Sequence, residues 1–175
     1  MEEPMKPAYA VALCALFAAL GAAVMMAAGL IPVLTYCSPL IASLFLIPIL
    51  REFGKGRAWM TWAVTAALSA ILCADKEAAF FYIFLGCYPI LKPAFDKLGK
   101  LGWIAKLLYF AAALAAMYGL ILFAFGLDIE IEGTGFMVAL YIALVAVMLL
   151  FDFVLQRMTL LYDRRLRKLL RKTMR

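Results

Sequence analysis

The residues of this sequence that are best placed to do chemistry are three consecutive charges, Asp75, Lys76 and Glu77, between two apolar segments. Charged side chains below a membrane surface are tolerated where they pair internally or face a water-filled cavity. The three charges therefore predict a binding cup for a small molecule. In the alternative interpretation, Asp75 only caps a helix that begins near Ala78 and favours its positive end.

A second acidic segment, LDIEIEGTG (127–135), alternates carboxylates with apolar residues. This period of two predicts a short extended flap that could close over a ligand, while a solvated acidic loop is the alternative. The spacing D-x-E-x-E-G resembles the start of a calcium-binding loop. However, its twelfth position would be Ala139, where calcium requires a bidentate Glu, so we do not predict a calcium site.

The sequence lacks the residues that several kinds of site require. The chain has no histidine, which removes His-based metal sites and His-activated nucleophiles. Its four cysteines show no C-x-x-C spacing and are expected to be packing residues, with a disulfide from Cys37 to another outer cysteine as the alternative. The segment GKGR (54–57) is not a nucleotide-binding loop. We therefore predict that the chain is not an enzyme and has no metal or cofactor.

The composition defines the surroundings of these residues. Hydrophobic residues make up 68% of the chain and charged residues 16%, and the mean hydropathy is +1.01. Soluble domains are about half apolar and about a quarter charged, so we predict an integral membrane protein. Six apolar segments are expected to be helices, because unpaired backbone is too costly in lipid. They cover residues 8–34, 36–50, 58–74, 78–91, 103–127 and 134–156.

Basic residues give these helices an orientation. If the six segments cross the membrane in turn, 16 of the 17 basic residues fall on one side and only Lys76 on the other. The positive-inside rule then places both termini in the cytoplasm. We predict one six-span domain over residues 1–175, in which 157–175 form a basic amphipathic tail against anionic lipid. This charge pattern does not predict nucleic-acid binding. Asp152, within the last span, is expected to pair with Arg157.

Two predicted helices look too short to cross. Segments 36–50 and 78–91 would measure roughly 22 and 21 Å, against about 30 Å of hydrocarbon. Since basic residues hold their cytoplasmic ends, the shortfall would lie outside and form a bowl above Asp75. Tyr82 and nearby aromatic residues could stack there on a ring-shaped ligand, although core or lipid-facing positions are the alternative.

Small residues mark the first segment. Alanines recur every four residues at Ala15, Ala19, Ala23 and Ala27, a pattern that lets another helix approach closely. Such a stripe predicts either packing within this chain or a docking surface for a partner.

A family resemblance combines these features. Six helices with cytoplasmic termini, the alanine-rich YAVALCALFAALGAA, the early GLIPVLTYCSPLIASLFLIPIL and the length resemble the substrate-binding S component of energy-coupling factor (ECF) vitamin transporters. The resemblance implies a receptor in a bacterial cell membrane that captures a small molecule at its outer face. Its partners would be a transmembrane coupling protein and two cytoplasmic ATPase subunits.

The resemblance also implies particular residues. The alanine motif of the family corresponds here to Ala8, Ala12, Ala15 and Ala19, which would dock on the coupling protein. Ligand sites of the family lie at outer helix ends and loops. The matching residues here are Tyr36, Ser38, Asp75, Lys76, Glu77, Tyr82, Asp128 and Glu130. No signature for biotin, riboflavin or thiamine is present. The resemblance implies a vitamin-like ligand, and the outer acidic residues, which outnumber the single outer Lys76, favour a cationic one.

Two other classes of membrane protein could have the same sequence features. A membrane assembly protein resembling the rod-shape protein MreD would use the alanine face without an outer cup. A small intramembrane enzyme would need polar residues that converge inside the bundle, and the sequence supplies few.

Overall fold

A computed structural model of the chain describes residues 7–28, 36–125 and 134–166. All elements in these ranges are helical, which confirms the predicted all-α class for this part of the chain. A π-helical turn, Tyr162–Leu166, follows the last α-helix. The α-helices are α1 (Pro7–Ala28), α2 (Cys37–Leu44), α3 (Leu46–Leu72), α4 (Lys76–Leu85), α5 (Tyr88–Asp96), α6 (Lys100–Phe125) and α7 (Thr134–Leu161).

Two of the helix breaks have a proline as their cause. A helical proline has no N–H for the carbonyl four residues earlier, and its ring crowds that carbonyl. Helix α2 ends at Leu44, four residues before Pro48, and α4 ends at Leu85, four residues before Pro89. Phe45 and Gly86 keep right-handed helical dihedral angles at the two breaks, and the axes of α2 and α3 differ by 58°.

A third break, at Gly54, reverses the chain. Its φ of 82° and ψ of −180° are non-helical and divide α3 into segments 46–53 and 55–72. Glycine adopts a positive φ without the steric cost that a Cβ would bring. Ala42 and Thr65 both lie within 4 Å of the position that a Cβ on Gly21 would occupy. A continuous helix would hold these two residues roughly 34 Å apart, so the two segments fold back on each other.

The contacts divide the chain into two compact units, Met1–Leu98 and Gly99–Arg175. In the first unit α1 and segment 55–72 run parallel, since Gly21 lies beside Thr65 and Met25, further along α1, accepts a hydrogen bond from Cys73, just past the end of α3. Residues 37–53 and 76–96 run in the opposite direction. The core of this bundle contains two clusters, one around Met25, Ala42, Ala66 and Tyr82 and one around Leu46, Ile49, Ala58 and Ile90.

The second unit is an antiparallel pair of helices. The Tyr141 hydroxyl on α7 donates a hydrogen bond of 2.7 Å to the Ala111 carbonyl on α6. Lys106, nearer the start of α6, lies beside Asp152, nearer the end of α7. Between these contacts Phe110, Leu144 and Met148 are buried.

Among the described residues, three helical stretches are long and apolar enough to cross a membrane, Ala8–Ala27, Lys76–Asp96 and Tyr141–Arg164, and the bent pair α2 and α3 would make a fourth. They agree with a membrane protein. The predicted boundaries of the fourth segment were wrong: the apolar stretch is 21 residues long, not 14, because α5 continues to Asp96. At roughly 1.5 Å per residue it matches the hydrocarbon thickness, which removes one of the two short helices behind the predicted bowl.

Candidate functional site

Two predicted site residues that are 41 positions apart meet at one end of the first unit. The Tyr36 hydroxyl, just before α2, donates a hydrogen bond of 2.8 Å to Oε1 of Glu77 in the first turn of α4. The ring of Tyr36 also meets the edge of Phe81, with 5.6 Å between centroids. The second Glu77 oxygen makes no hydrogen bond within the part of the chain that the structure describes. A ligand at this position would therefore meet a carboxylate that is already oriented.

Asp75 and Lys76 serve the helix ends around them. Asp75 Oδ1 accepts hydrogen bonds from the amides of Glu77 (3.0 Å) and Ala78 (3.3 Å), which is the geometry of an N-cap. Lys76 Nζ donates to the Ala70 carbonyl at 2.9 Å, in the last turn of α3. An ammonium group there satisfies an unpaired carbonyl and the negative end of the helix. The capping interpretation of Asp75 is therefore confirmed.

A polar stripe that the sequence reasoning missed runs along segment 55–72. Thr61, Thr65, Ser69 and Cys73 recur every four residues, and all are buried. This spacing places them on one face of a helix, so the pattern was visible in the sequence. The two threonine hydroxyls donate to the carbonyls four residues earlier, at 2.9 Å each. The Cys73 thiol donates to the Met25 carbonyl at 3.3 Å, and burial raises the pKa of this thiol.

Two serine hydroxyls near this end have no partner. Ser38 on α2 is 1% exposed and Ser69 on α3 is 0% exposed, and neither Oγ makes a hydrogen bond to a described residue. Ala42 and Thr65 are neighbours, and Ser38 and Ser69 each lie one turn beyond them on antiparallel segments. The two hydroxyls therefore lie at the same level of the bundle. Leaving a buried polar group unpaired costs about 1–3 kcal/mol.

Tyr82 lies deeper in the same bundle than a stacking residue at a cup would. It is 1% exposed and belongs to the core cluster that contains Met25, Ala42 and Ala66. A Cβ on Gly86 would lie 2.8 Å from the Tyr82 ring and would also meet the Tyr82 carbonyl. Gly86 thus leaves the space that the ring fills.

The predicted docking alanines share the outward face of α1. Ala8, Ala12, Ala15 and Ala19 are all exposed, whereas Ala10, Ala18 and Ala22 are buried. The close approach to another helix of this chain occurs instead at Gly21, where a Cβ would lie 3.1 Å from Thr65 Cγ2. The stripe of small residues is therefore left available on the surface.

The second unit holds a buried ion pair. Lys106 Nζ and Asp152 Oδ2 are 3.1 Å apart, and both residues are less than 9% exposed. The predicted pairing of Asp152 with Arg157 was wrong: the Arg157 guanidinium lies over the Phe153 ring, 5.1 Å from its centroid. Spacing along one helix suggested Arg157, but the partner across the hairpin is closer to the buried carboxylate.

Two predicted ligand residues, Asp128 and Glu130, lie outside the described residues, as does the tail beyond Leu166. Within the described ranges, no group of three or more Cys, Asp or Glu side chains could hold a metal ion. The four cysteines are free thiols, so no disulfide joins Cys37 to an outer cysteine.

Comparisons with protein-family models, with curated proteins and with solved structures give no match for this chain.

Proposed function

We propose that this chain is a membrane-embedded receptor for a small molecule, the substrate-binding subunit of an ECF-type uptake transporter. The observation that carries the proposal is the pair of buried, unpartnered hydroxyls of Ser38 and Ser69, at the same end of the bundle as the Tyr36–Glu77 pair. Buried polar groups in proteins are nearly always hydrogen-bonded, so two unpaired groups at one level are a reason to expect a ligand.

The chemistry of this end indicates the class of ligand. Two hydroxyls can each donate and accept a hydrogen bond, and Glu77 adds a negative charge. A vitamin-like molecule with polar ring atoms, or a cation small enough to reach the carboxylate, would complement this set. Asp75 and Lys76 contribute to this site by fixing the start of α4.

The proposed topology has six spans with both termini in the cytoplasm. Supporting it, the four segments of the first unit alternate in direction, and the basic residues Arg51, Lys55, Arg57 and Lys97 fall at the end opposite Glu77. In a bacterial cell membrane this arrangement puts the hydroxyls and Glu77 on the outer side. The basic tail would then lie on anionic lipid at the inner surface.

The exposed alanine face of α1 supports a second part of the proposal. Helices approach closely through small residues in a membrane, and Ala8, Ala12, Ala15 and Ala19 offer such a face. We propose that the transmembrane coupling protein docks there and connects the chain to two cytoplasmic ATPase subunits. An MreD-like assembly protein would use the same face, but it would have no need for the buried hydroxyls.

Native mass spectrometry of the purified chain tests the receptor. We expect the wild type, expressed in rich medium, to carry a small molecule that the double variant Ser38→Ala, Ser69→Ala does not retain. Ser43→Ala is the matched control, because Ser43 is also buried on α2 but its hydroxyl donates to the Leu40 carbonyl at 2.6 Å. A wild type without any bound molecule, or a double variant that retains it, would contradict the proposal.

Co-purification tests the partners. The proposal expects ATPase subunits to be recovered with the wild type and lost from Ala15→Leu, Ala19→Leu, since bulkier side chains hold helices apart. Recovery of cell-wall proteins instead would favour the assembly class.

A further inference from the structure

A groove of about 260 Å³ lies between α1 and segment 55–72 of the first unit. Its floor consists of small side chains, Cys14, Ala15 and Ala18, and of Thr61, whose hydroxyl is occupied by the Arg57 carbonyl. Larger apolar residues, Val11, Met60 and Val64, form its walls and are at least half exposed. The groove exists because α1 presents small residues where α3 presents large ones.

The size of the groove limits what can lie in it. Residues 11–18 of α1 line it over roughly 10 Å, at about 1.5 Å per residue. At this length and volume the groove is narrower than a helix, which is about 10–12 Å wide with its side chains. An acyl chain is much thinner than a helix, so its upper part can lie in the groove.

The single charge of the groove lies at one end. Arg57 contributes to the lining, and its guanidinium lies 5.5 Å from the Phe53 ring centroid. It forms no ion pair with any residue in the described ranges. Arg51, Lys55, Lys92 and Lys97 are near the same end of the bundle, against two acidic residues, Glu52 and Asp96. An anion would therefore be attracted to this end, and the guanidinium can bind a phosphate through two parallel hydrogen bonds.

We propose that the groove binds one anionic phospholipid, with the upper part of an acyl chain between α1 and α3 and the phosphate at Arg57. The site is separate from the proposed ligand site, which lies at the opposite end of the bundle. A lipid there would cover Ala15 and would have to leave, or be shared, when a partner docks on the alanine face.

Native mass spectrometry of the full-length chain with equal amounts of phosphatidylglycerol and phosphatidylcholine tests this site. We expect one phosphatidylglycerol to be retained preferentially, and Arg57→Gln to reduce its retention tenfold or more. Arg51→Gln is the matched control, because it removes the same charge near the same end without touching the groove, and we expect less than a twofold change. Both variants keep the basic tail, so lipid bound there does not alter the comparison.

A second pair of variants tests the groove without changing a charge. Val11→Trp should fill the channel and displace the lipid, whereas Leu16→Trp, exposed on the same helix but outside the lining, should not. Equal retention of the two lipids, equal loss in Arg51→Gln and Arg57→Gln, or equal behaviour of the two tryptophan variants would overturn the proposal. These measurements need neither a transport ligand nor a partner protein. Their outcome therefore tests the lipid site independently of the proposed transport function.

Discussion

The two units of this protein bury polar groups in different ways. The second unit buries a lysine and an aspartate, and their charged atoms lie 3.1 Å apart across a helix hairpin. In the part of the first unit that the structure describes, two serine hydroxyls are buried and make no hydrogen bond. The difference follows from the energies involved. An unpaired buried charge costs several kcal/mol and must be matched within the fold, whereas an unpaired hydroxyl costs about 1–3 kcal/mol.

This contrast indicates where a ligand could contribute. The ion pair is satisfied by the chain itself, so a ligand has nothing to add there. The hydroxyls of Ser38 and Ser69 keep their capacity to bond, and a ligand that supplies the missing partners would stabilise the first unit. The following predictions test each side of this comparison, from the largest expected effect to the smallest.

Separating the ion pair should have the largest effect on stability. We expect Lys106→Met or Asp152→Leu alone to lower the free energy of unfolding by about 3–5 kcal/mol, since each leaves an unpaired buried charge. The double variant should recover most of the loss. Denaturant unfolding in detergent micelles measures this. If both single variants lose less than about 1 kcal/mol, the pair is solvated and the comparison between the units fails.

Crowding Tyr82 should have a smaller effect. A Cβ on Gly86 would lie 2.8 Å from the Tyr82 ring, so Gly86→Ala should cost about 1–3 kcal/mol through overpacking. Gly56→Ala is the control, because nothing lies within 4 Å of its added Cβ, and alanine favours a helix there. Thermal unfolding of both variants decides the matter. A loss in Gly56→Ala as large as that in Gly86→Ala would show that backbone effects dominate.

Removing the unpartnered hydroxyls should stabilise the ligand-free protein. Ser38→Ala and Ser69→Ala each eliminate a desolvated group with no hydrogen bond, so we expect the free energy of unfolding to rise by about 1 kcal/mol in each. Ser43→Ala should lower it slightly, since that hydroxyl is bonded. Chemical unfolding of the three variants without ligand tests the sign. A loss of stability in the first two would mean that the hydroxyls already have partners.

The smallest effect is expected at the helix cap. Asp75→Ala should lower stability by about 1 kcal/mol, whereas Asp75→Asn, which also caps helices well, should stay within a few tenths of the wild type. The comparison uses the same unfolding measurement. If the Asn variant loses as much as the Ala variant, the charge of Asp75 matters in its own right, and the residue belongs with Glu77 in the site.

Several features could be predicted from residues alone. The excess of apolar residues is typical of a membrane protein. Helices are expected because they pair their own backbone N–H and C=O groups, which lipid cannot do. The sequence predicted capping by Asp75 as one of two alternatives, because an aspartate just before an apolar run commonly begins a helix. The fourth apolar segment was predicted too short because Lys92 was taken as its end. The helix continues past Lys92, which is only 8% exposed, to Asp96.

The sequence by itself therefore determined the class of fold, the basic end of the bundle and the small-residue face of α1, because composition, charge and period are properties of neighbouring positions. Only the tertiary structure decided which distant groups meet. The pairing of Tyr36 with Glu77 and of Lys106 with Asp152 depends on how helices align side by side, as does the level shared by Ser38 and Ser69. Close packing sets that alignment through contacts such as Gly21 against Thr65, and no spacing along the chain encodes it.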